Sequence, residues 1–215
     1  MGFIGAAGFG RFLGGRGAGV LTTSLLALTF FFSCIVFYEV GICGSSCTLS
    51  VSPWFLSESW DATWGLLFDP LTGTMCVVVT SVSTLVHLYS TSYMGEDPHL
   101  PRFMSYLSLF TFFMLILITG DNFLQMFVGW EGVGLASYLL INFWYTRLQA
   151  NKSAIKAMMM NRVGDFGLGL GIFALYTIFG SVNFESVFAC APHLSDEKIV
   201  FFGTEFHAYT LIGIL

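Results

Sequence analysis

Charge is what this sequence has least of. Its 215 residues include only 8 Lys+Arg and 13 Asp+Glu, a charged share of 10%, where soluble domains usually carry about 25%. That excludes a water-soluble fold, and it excludes intrinsic disorder, which needs high charge and low hydrophobicity. The net charge of −5 offers no basic face, so no nucleic acid is expected as a partner. Cysteine is also sparse. The five residues, Cys34, Cys43, Cys47, Cys76 and Cys190, are too few and too scattered for a disulfide scaffold. None has the Cys-x-x-Cys or Cys/His spacing of a zinc or iron–sulfur site, so no metal ligand is assigned. Cys43 and Cys47 are close enough in sequence to pair in an oxidising loop; as small apolar residues near a membrane surface they need no such role. What is abundant is apolar: 55% hydrophobic residues, 24 Phe and 24 Gly, with a mean hydropathy of +0.78. The class that remains is an all-α polytopic membrane protein.

A crossing helix needs about 20 mostly apolar residues. Five such runs stand out, at 20–38, 70–93, 103–119, 123–145 and 157–179. The Gly-rich residues 1–15 read as the end of one more span, and the apolar run 208–215 as the start of another. That predicts about six transmembrane helices and the beginning of a seventh, in a single membrane domain over 1–215. Arg11 and Arg16, with no acid before Glu39, give the N-terminus the look of a mitochondrial transit peptide; it is read as mature chain.

Basic residues divide unevenly between the connections. Arg11, Arg16, Arg102, Arg147, Lys152 and Lys156 fall on one face, and only Lys198 falls in the opposite loops, 39–69, 120–122 and 180–207. By the positive-inside rule the basic face is the matrix or cytoplasmic one. Loop 39–69 then faces outward, and its Trp54, Trp60, Trp64 and Pro53 suit short strands, a β-hairpin, lying at the membrane–water boundary. Asn151-Lys152-Ser153 is a glycosylation sequon by pattern, but it sits in a basic loop where the modification does not occur.

Ionisable groups inside a span cost about 2.5–3.5 kcal/mol on insertion scales and are functional candidates by default. Glu131, in Gly129-Trp130-Glu131-Gly132-Val133-Gly134, falls mid-way along its run. Tyr138 and Asn142 return to within about 20° of it on a helical projection, forming a stripe of carboxyl, phenol and amide. Gly132 and Ala136 leave room for a neighbouring helix. A carboxyl held out of water can take up and release a proton; the alternative is a protonated Glu bonded to a neighbour. Arg162 and Asp165, at i,i+3, share a face and can neutralise each other, as a structural ion pair or as part of an ion path. Gly167 and Gly171 read as helix packing. His87 shares a face with Thr80, Ser83, Thr84 and Thr91, a stripe that either orders water for protons or simply satisfies the imidazole. Together these groups suit ion transfer driven by charge: a cation near Glu131 releases its proton, and withdrawal of the cation returns it. No Lys lies mid-membrane in this chain, so that cation is not evident.

The motifs Gly120-Asp121-Asn122-Phe123-Leu124-Gln125, Gly129 to Leu140, Ser92-Tyr93-Met94-Gly95-Glu96-Asp97-Pro98-His99 and Asn161-Arg162-Val163-Gly164-Asp165-Phe166 closely resemble subunit 5 of mitochondrial NADH–ubiquinone oxidoreductase (complex I). More distantly they resemble Mrp-type cation/proton antiporters. The resemblance runs from about Phe9 to Ala191 and is closest to plant and algal forms. It implies an antiporter-like, non-redox subunit of the inner-membrane arm that helps couple quinone reduction to proton pumping. Glu131, Arg162 and Asp165 match the family's fifth-helix Glu and sixth-helix Arg and Asp. Loop 39–69 would face the intermembrane space. FMN, iron–sulfur clusters and ubiquinone would belong to other subunits, with no cofactor bound here. The expected neighbours are other membrane-arm subunits and lipids such as cardiolipin. The family continues into a seventh helix whose Lys partners the fifth-helix Glu, and then into a second inverted repeat. Neither is present before Leu215. The chain therefore reads as the first half of a split subunit, completed by a separate polypeptide; a truncation or a degenerate copy are the alternatives. Competing functions are a stand-alone cation/proton antiporter half and a purely structural membrane-arm module.

Overall fold

The computed structural model describes residues 1–57, 60–194, 198–201 and 204–207. The apolar run at 208–215 lies outside them. The first helix, α1 (Gly2–Phe37), is broken at Gly14, whose φ of 68° and ψ of 176° are accessible essentially to glycine alone. The break folds the arm 2–13 back along the arm 15–37: a Cβ placed on Gly5 would meet the Leu21 side chain, and Gly2 lies against Thr22 and Ser108. The first arm spans about 18 Å at 1.5 Å per residue, less than a bilayer core. It is the partial span expected from residues 1–15.

A π-helical turn at Tyr38–Ile42 leads to Gly44 in the left-handed region (φ 71°). Two antiparallel strands follow, β1 (Cys47–Ser57) and β2 (Trp60–Phe68), paired from Cys47↔Phe68 to Ser57↔Trp60. The register shifts beside Pro53, which has no N–H to give the ladder. The Trp54 and Trp64 rings meet edge-on at 5.2 Å. This is the hairpin expected on the outer face. Cys43 and Cys47 are both free and exposed.

The remaining helices have legible starts. α2 (Pro70–Tyr93) is capped by Asp69, whose carboxylate accepts from the Thr72 N–H at 2.7 Å, with Pro70 in the first turn. α3 (Leu100–Thr119) also carries a proline in its first turn. α4 (Phe123–Ile141) is capped by Asn122, which accepts from Gln125 N–H at 2.7 Å. α5 (Leu148–Phe179) stops at Gly180, left-handed at φ 66°. Among the described residues five helices are long and apolar enough to cross a membrane, α1 to α5.

Two boundaries differ from expectation. α4 ends at Ile141, four residues early, because the turn after it is held by Arg102, which donates to the Phe143 carbonyl at 3.1 Å and stacks on its ring at 4.8 Å. α5 begins at Leu148, so Lys152 and Lys156, expected in a loop, lie on its first turns, where long basic stems reach the membrane surface. Loop 180–207 also carries structure that apolar-run counting does not see: α6 (Phe184–Leu194) and a second hairpin, β3 (Lys198–Phe201) with β4 (Thr204–His207).

The connections gather at two ends. At the basic end the Gly14 turn, the α2–α3 turn and Arg102 line one cavity, and Arg102 ties in the α4–α5 turn. At the other end, Asn122 donates to the Thr63 carbonyl at 2.7 Å and Gln125 accepts from Gly65 N–H at 3.1 Å, docking the β1–β2 hairpin. Phe123 N–H bonds the Val182 carbonyl and Phe184 N–H the Asp121 carbonyl, docking the entry to α6. The Asp121 carboxyl presses on Gly65. Its burial raises its pKa above the ordinary carboxylate value, an effect opposed by a hydrogen bond from its own backbone and one from Asn122.

Candidate functional site

Helix α4 is wedged between α3 and α5 with a different chemistry on each side. Gly129, Gly132 and Ala136 are buried and lie within about 60° of one another around the helix. A Cβ on Gly129 would sit 2.6 Å from the Leu117 backbone, and one on Gly132 would overlap the Phe113 ring. This seam lets the two helix axes approach closely, as the small residues suggested. It also turns the opposite side of α4, which carries Trp130 and Glu131, toward α5.

On that side Arg162 Nη1 donates to Glu131 Oε1 at 2.6 Å. Trp130 Nε1–H donates to Asp165 Oδ1 at 2.8 Å, and Asp165 is only 7% exposed. The i,i+3 spacing that suggested mutual neutralisation of Arg162 and Asp165 is therefore corrected: each reaches across to α4. The reason is geometric. One face of α5 meets α4, so both side chains find inter-helix partners, and the indole N–H serves the carboxylate that the guanidinium leaves. A cation, the Arg162 guanidinium, therefore does lie beside Glu131. An apolar cleft of about 310 Å³ lies alongside, walled by Leu124, Phe127, Phe166 and Phe173 and open to Glu131, Arg162 and Asp165. Trp130 was overlooked as a site residue, although a mid-span indole N–H must find an acceptor and its neighbour Glu131 marked the region.

Tyr138 and Asn142 are not drawn into this cluster. They keep their places on the stripe, but Asn142 is the C-cap of α4, and its buried Oδ1 has no hydrogen-bond partner among the described residues. No hydrogen bond joins either residue to Glu131 among the described residues.

His87 sits elsewhere. It is fully buried at the α2–α3 contact, its Nδ1 donating to the Ser83 carbonyl at 2.8 Å and its Nε2 3.3 Å from Ser108 Oγ. Around it runs a seam of hydroxyls: Ser33 with Thr80 at 2.8 Å, Ser83 with Thr111, and Thr84 donating to the Thr80 carbonyl at 2.7 Å. Ser108 and Leu117 lie about 180° apart on α3, so the His87 seam and the Glu131 pair occupy opposite sides of that helix. Among the described residues no group of three or more His, Cys, Asp or Glu side chains could hold a metal.

This architecture is that of an antiporter-like membrane subunit. A chain of the Mrp complex from Dietzia sp. DQ12-45-1b superposes with a TM-score of 0.75 over 91% of this chain and 21% of its own, at 19% identity. Two family models match the sequence, together over more than half of it: complex I chain 5 N-terminus at residues 54–104, and the NADH:quinone oxidoreductase/Mrp antiporter transmembrane family at residues 120–213. NADH-ubiquinone oxidoreductase chain 5 of Marchantia polymorpha is 60% identical over 100% of this chain and 32% of its own length. The Triticum aestivum chain 5 is 61% identical over 96% of this chain and 31% of its own. The chain belongs to the chain 5 family of NADH–ubiquinone oxidoreductase. It spans about a third of the length of these relatives.

Proposed function

We propose that the chain forms part of the proton-translocating membrane arm of a respiratory NADH:ubiquinone oxidoreductase in the mitochondrial inner membrane. It would act as a non-redox element that couples quinone reduction to proton movement, with FMN, iron–sulfur clusters and ubiquinone held by other subunits. The observation that carries this reading is the Arg162–Glu131 pair, 2.6 Å apart and mid-way along two membrane helices. A guanidinium beside a carboxylate favours the ionised acid; moving it away returns the proton. Arg162 is tethered only through a long flexible side chain, so the two arrangements need no movement of the helix backbone. Asp165, already satisfied by Trp130, offers a second acceptor one turn along the same face.

The Arg162 side chain is 58% exposed and that of Glu131 29%. A charge facing acyl chains is costly, so the pair needs a protein cover. We assign that cover to further helices of the family fold, with other membrane-arm subunits and lipids such as cardiolipin around them. Two experiments test the proposal. The chain should co-migrate with a large membrane complex carrying NADH dehydrogenase activity. In that complex, Glu131→Gln should cut proton pumping per electron. Unchanged pumping and activity would leave only a structural role for the chain.

A further inference from the structure

At the basic end, the second arm of α1 and the C-terminal end of α2 diverge to leave a groove of about 970 Å³, at the upper end of the roughly 300–1,000 Å³ typical of small-molecule clefts. Its mouth carries Arg16 from α1 and Glu96 and Asp97 from the α2–α3 turn; its inner walls are Val20, Ala27 and Leu88. We propose that this groove binds a phospholipid with a primary-ammonium headgroup, phosphatidylethanolamine, from the leaflet at the basic face.

Polarity runs in one direction along the groove. Arg16 follows the Gly14 turn by two residues, and Ala27 lies about 17 Å further along the helix at 1.5 Å per residue, so charge sits at headgroup depth and apolar wall at acyl depth. The floor is shallow because α2 crosses at Gly19, where a Cβ would sit 3.1 Å from Thr91 Cγ2. Three of the four hydroxyls on the walls are turned to their own helices: Thr23, Ser24 and Thr91 bond carbonyls there at 2.7, 3.0 and 2.7 Å, which leaves Ser92, beside the mouth, as the one free to face a headgroup among the described residues. Val20 is 70% exposed and Leu88 59%, leaving the acyl channel open to the membrane.

Headgroup choice follows from the mouth. The side chains of Arg16 and Glu96 make no ion pair or hydrogen bond among the described residues, although they line one groove. A ligand with a phosphate for the guanidinium and an ammonium for the carboxylates closes both. Cardiolipin brings two phosphates to a mouth with two carboxylates and one cation. Phosphatidylcholine offers a quaternary ammonium that cannot donate and prefers an aromatic cage, and no lining residue is aromatic.

The inference depends on the chain being membrane-embedded and is independent of proton transfer at Glu131, so either can fail alone. The test uses the assembled membrane complex in nanodiscs with trace phosphatidylethanolamine bearing an acyl-chain photoreactive group. Labelling should fall on peptides 15–27 and 88–100, and excess unlabelled phosphatidylethanolamine should displace it better than cardiolipin or phosphatidylcholine does. Arg16→Gln should reduce labelling about fivefold, the loss expected for one basic contact at a membrane surface. Val20→Trp, which keeps every charge and fills the channel, should abolish it. Equal competition by cardiolipin or phosphatidylcholine, or labelling indifferent to Val20→Trp, would overturn the assignment.

Discussion

Gly129→Ala is the substitution whose effect can be worked most directly from the packing. The added methyl would lie 2.6 Å from both the Leu117 N and Cα atoms. These are backbone atoms, which cannot rotate away, so the cost belongs near the upper end of the usual 1–3 kcal/mol for overpacking, about 3 kcal/mol. Alanine recovers about 1 kcal/mol of helix propensity over glycine. The net is about 2 kcal/mol against the α3–α4 contact, or roughly 30-fold in the population of the separated state. Gly164 provides the control, since nothing lies within 4 Å of its Cβ position. Hydrogen exchange of segment 123–141 in the solubilised complex reads the difference: about 30-fold faster in Gly129→Ala, unchanged in Gly164→Ala. Equal exchange in the two variants would refute the argument that this seam sets the position of α4, and with it the approach of Glu131 to α5.

Trp130→Phe removes the indole hydrogen bond to a 7% exposed carboxylate. It should destabilise the α4–α5 contact by about 1–3 kcal/mol, while Trp130→Phe/Asp165→Leu costs less than the single change; a more damaging double variant would contradict the pairing. Because burial raises the Asp121 pKa, its contribution to hairpin docking is complete below the ordinary carboxylate pKa of about 3.9. It is lost as pH rises through the raised folded value. Asp121→Asn should therefore protect the Gly65 amide from exchange more than the native residue does at neutral pH, with the gap closing in acid; a pH-independent ratio would exclude the linkage.

The helices were legible because each is an apolar run bounded by punctuation that a sequence displays: Asp69-Pro70, Asn122 and Gly180 all mark ends where the structure has them. The β1–β2 hairpin was legible from Pro and Trp in an outer loop. α6 was not, since its 11 residues are too short to register among spans. The early end of α4 was hidden because it depends on Arg102, some 40 residues away, reaching the Phe143 carbonyl. At the site, Glu131, Arg162 and Asp165 were each visible as charges in apolar runs, but their pairing was not. Periodicity reports which residues share a face of one helix, and it favoured the local Arg162–Asp165 pair. The partner across the gap is fixed by how α4 packs on α3, through Gly129 and Gly132, and no single-helix projection contains that.

The most direct test of the account is vibrational difference spectroscopy of the assembled complex, resting against turning over. We predict a protonated-carboxyl band that appears or disappears with turnover, is absent in Glu131→Gln, and is altered in Arg162→Gln, where the cation of the pair at 2.6 Å is gone. A turnover-dependent carboxyl band that persists unchanged in Glu131→Gln would contradict the claim that this side chain carries the proton.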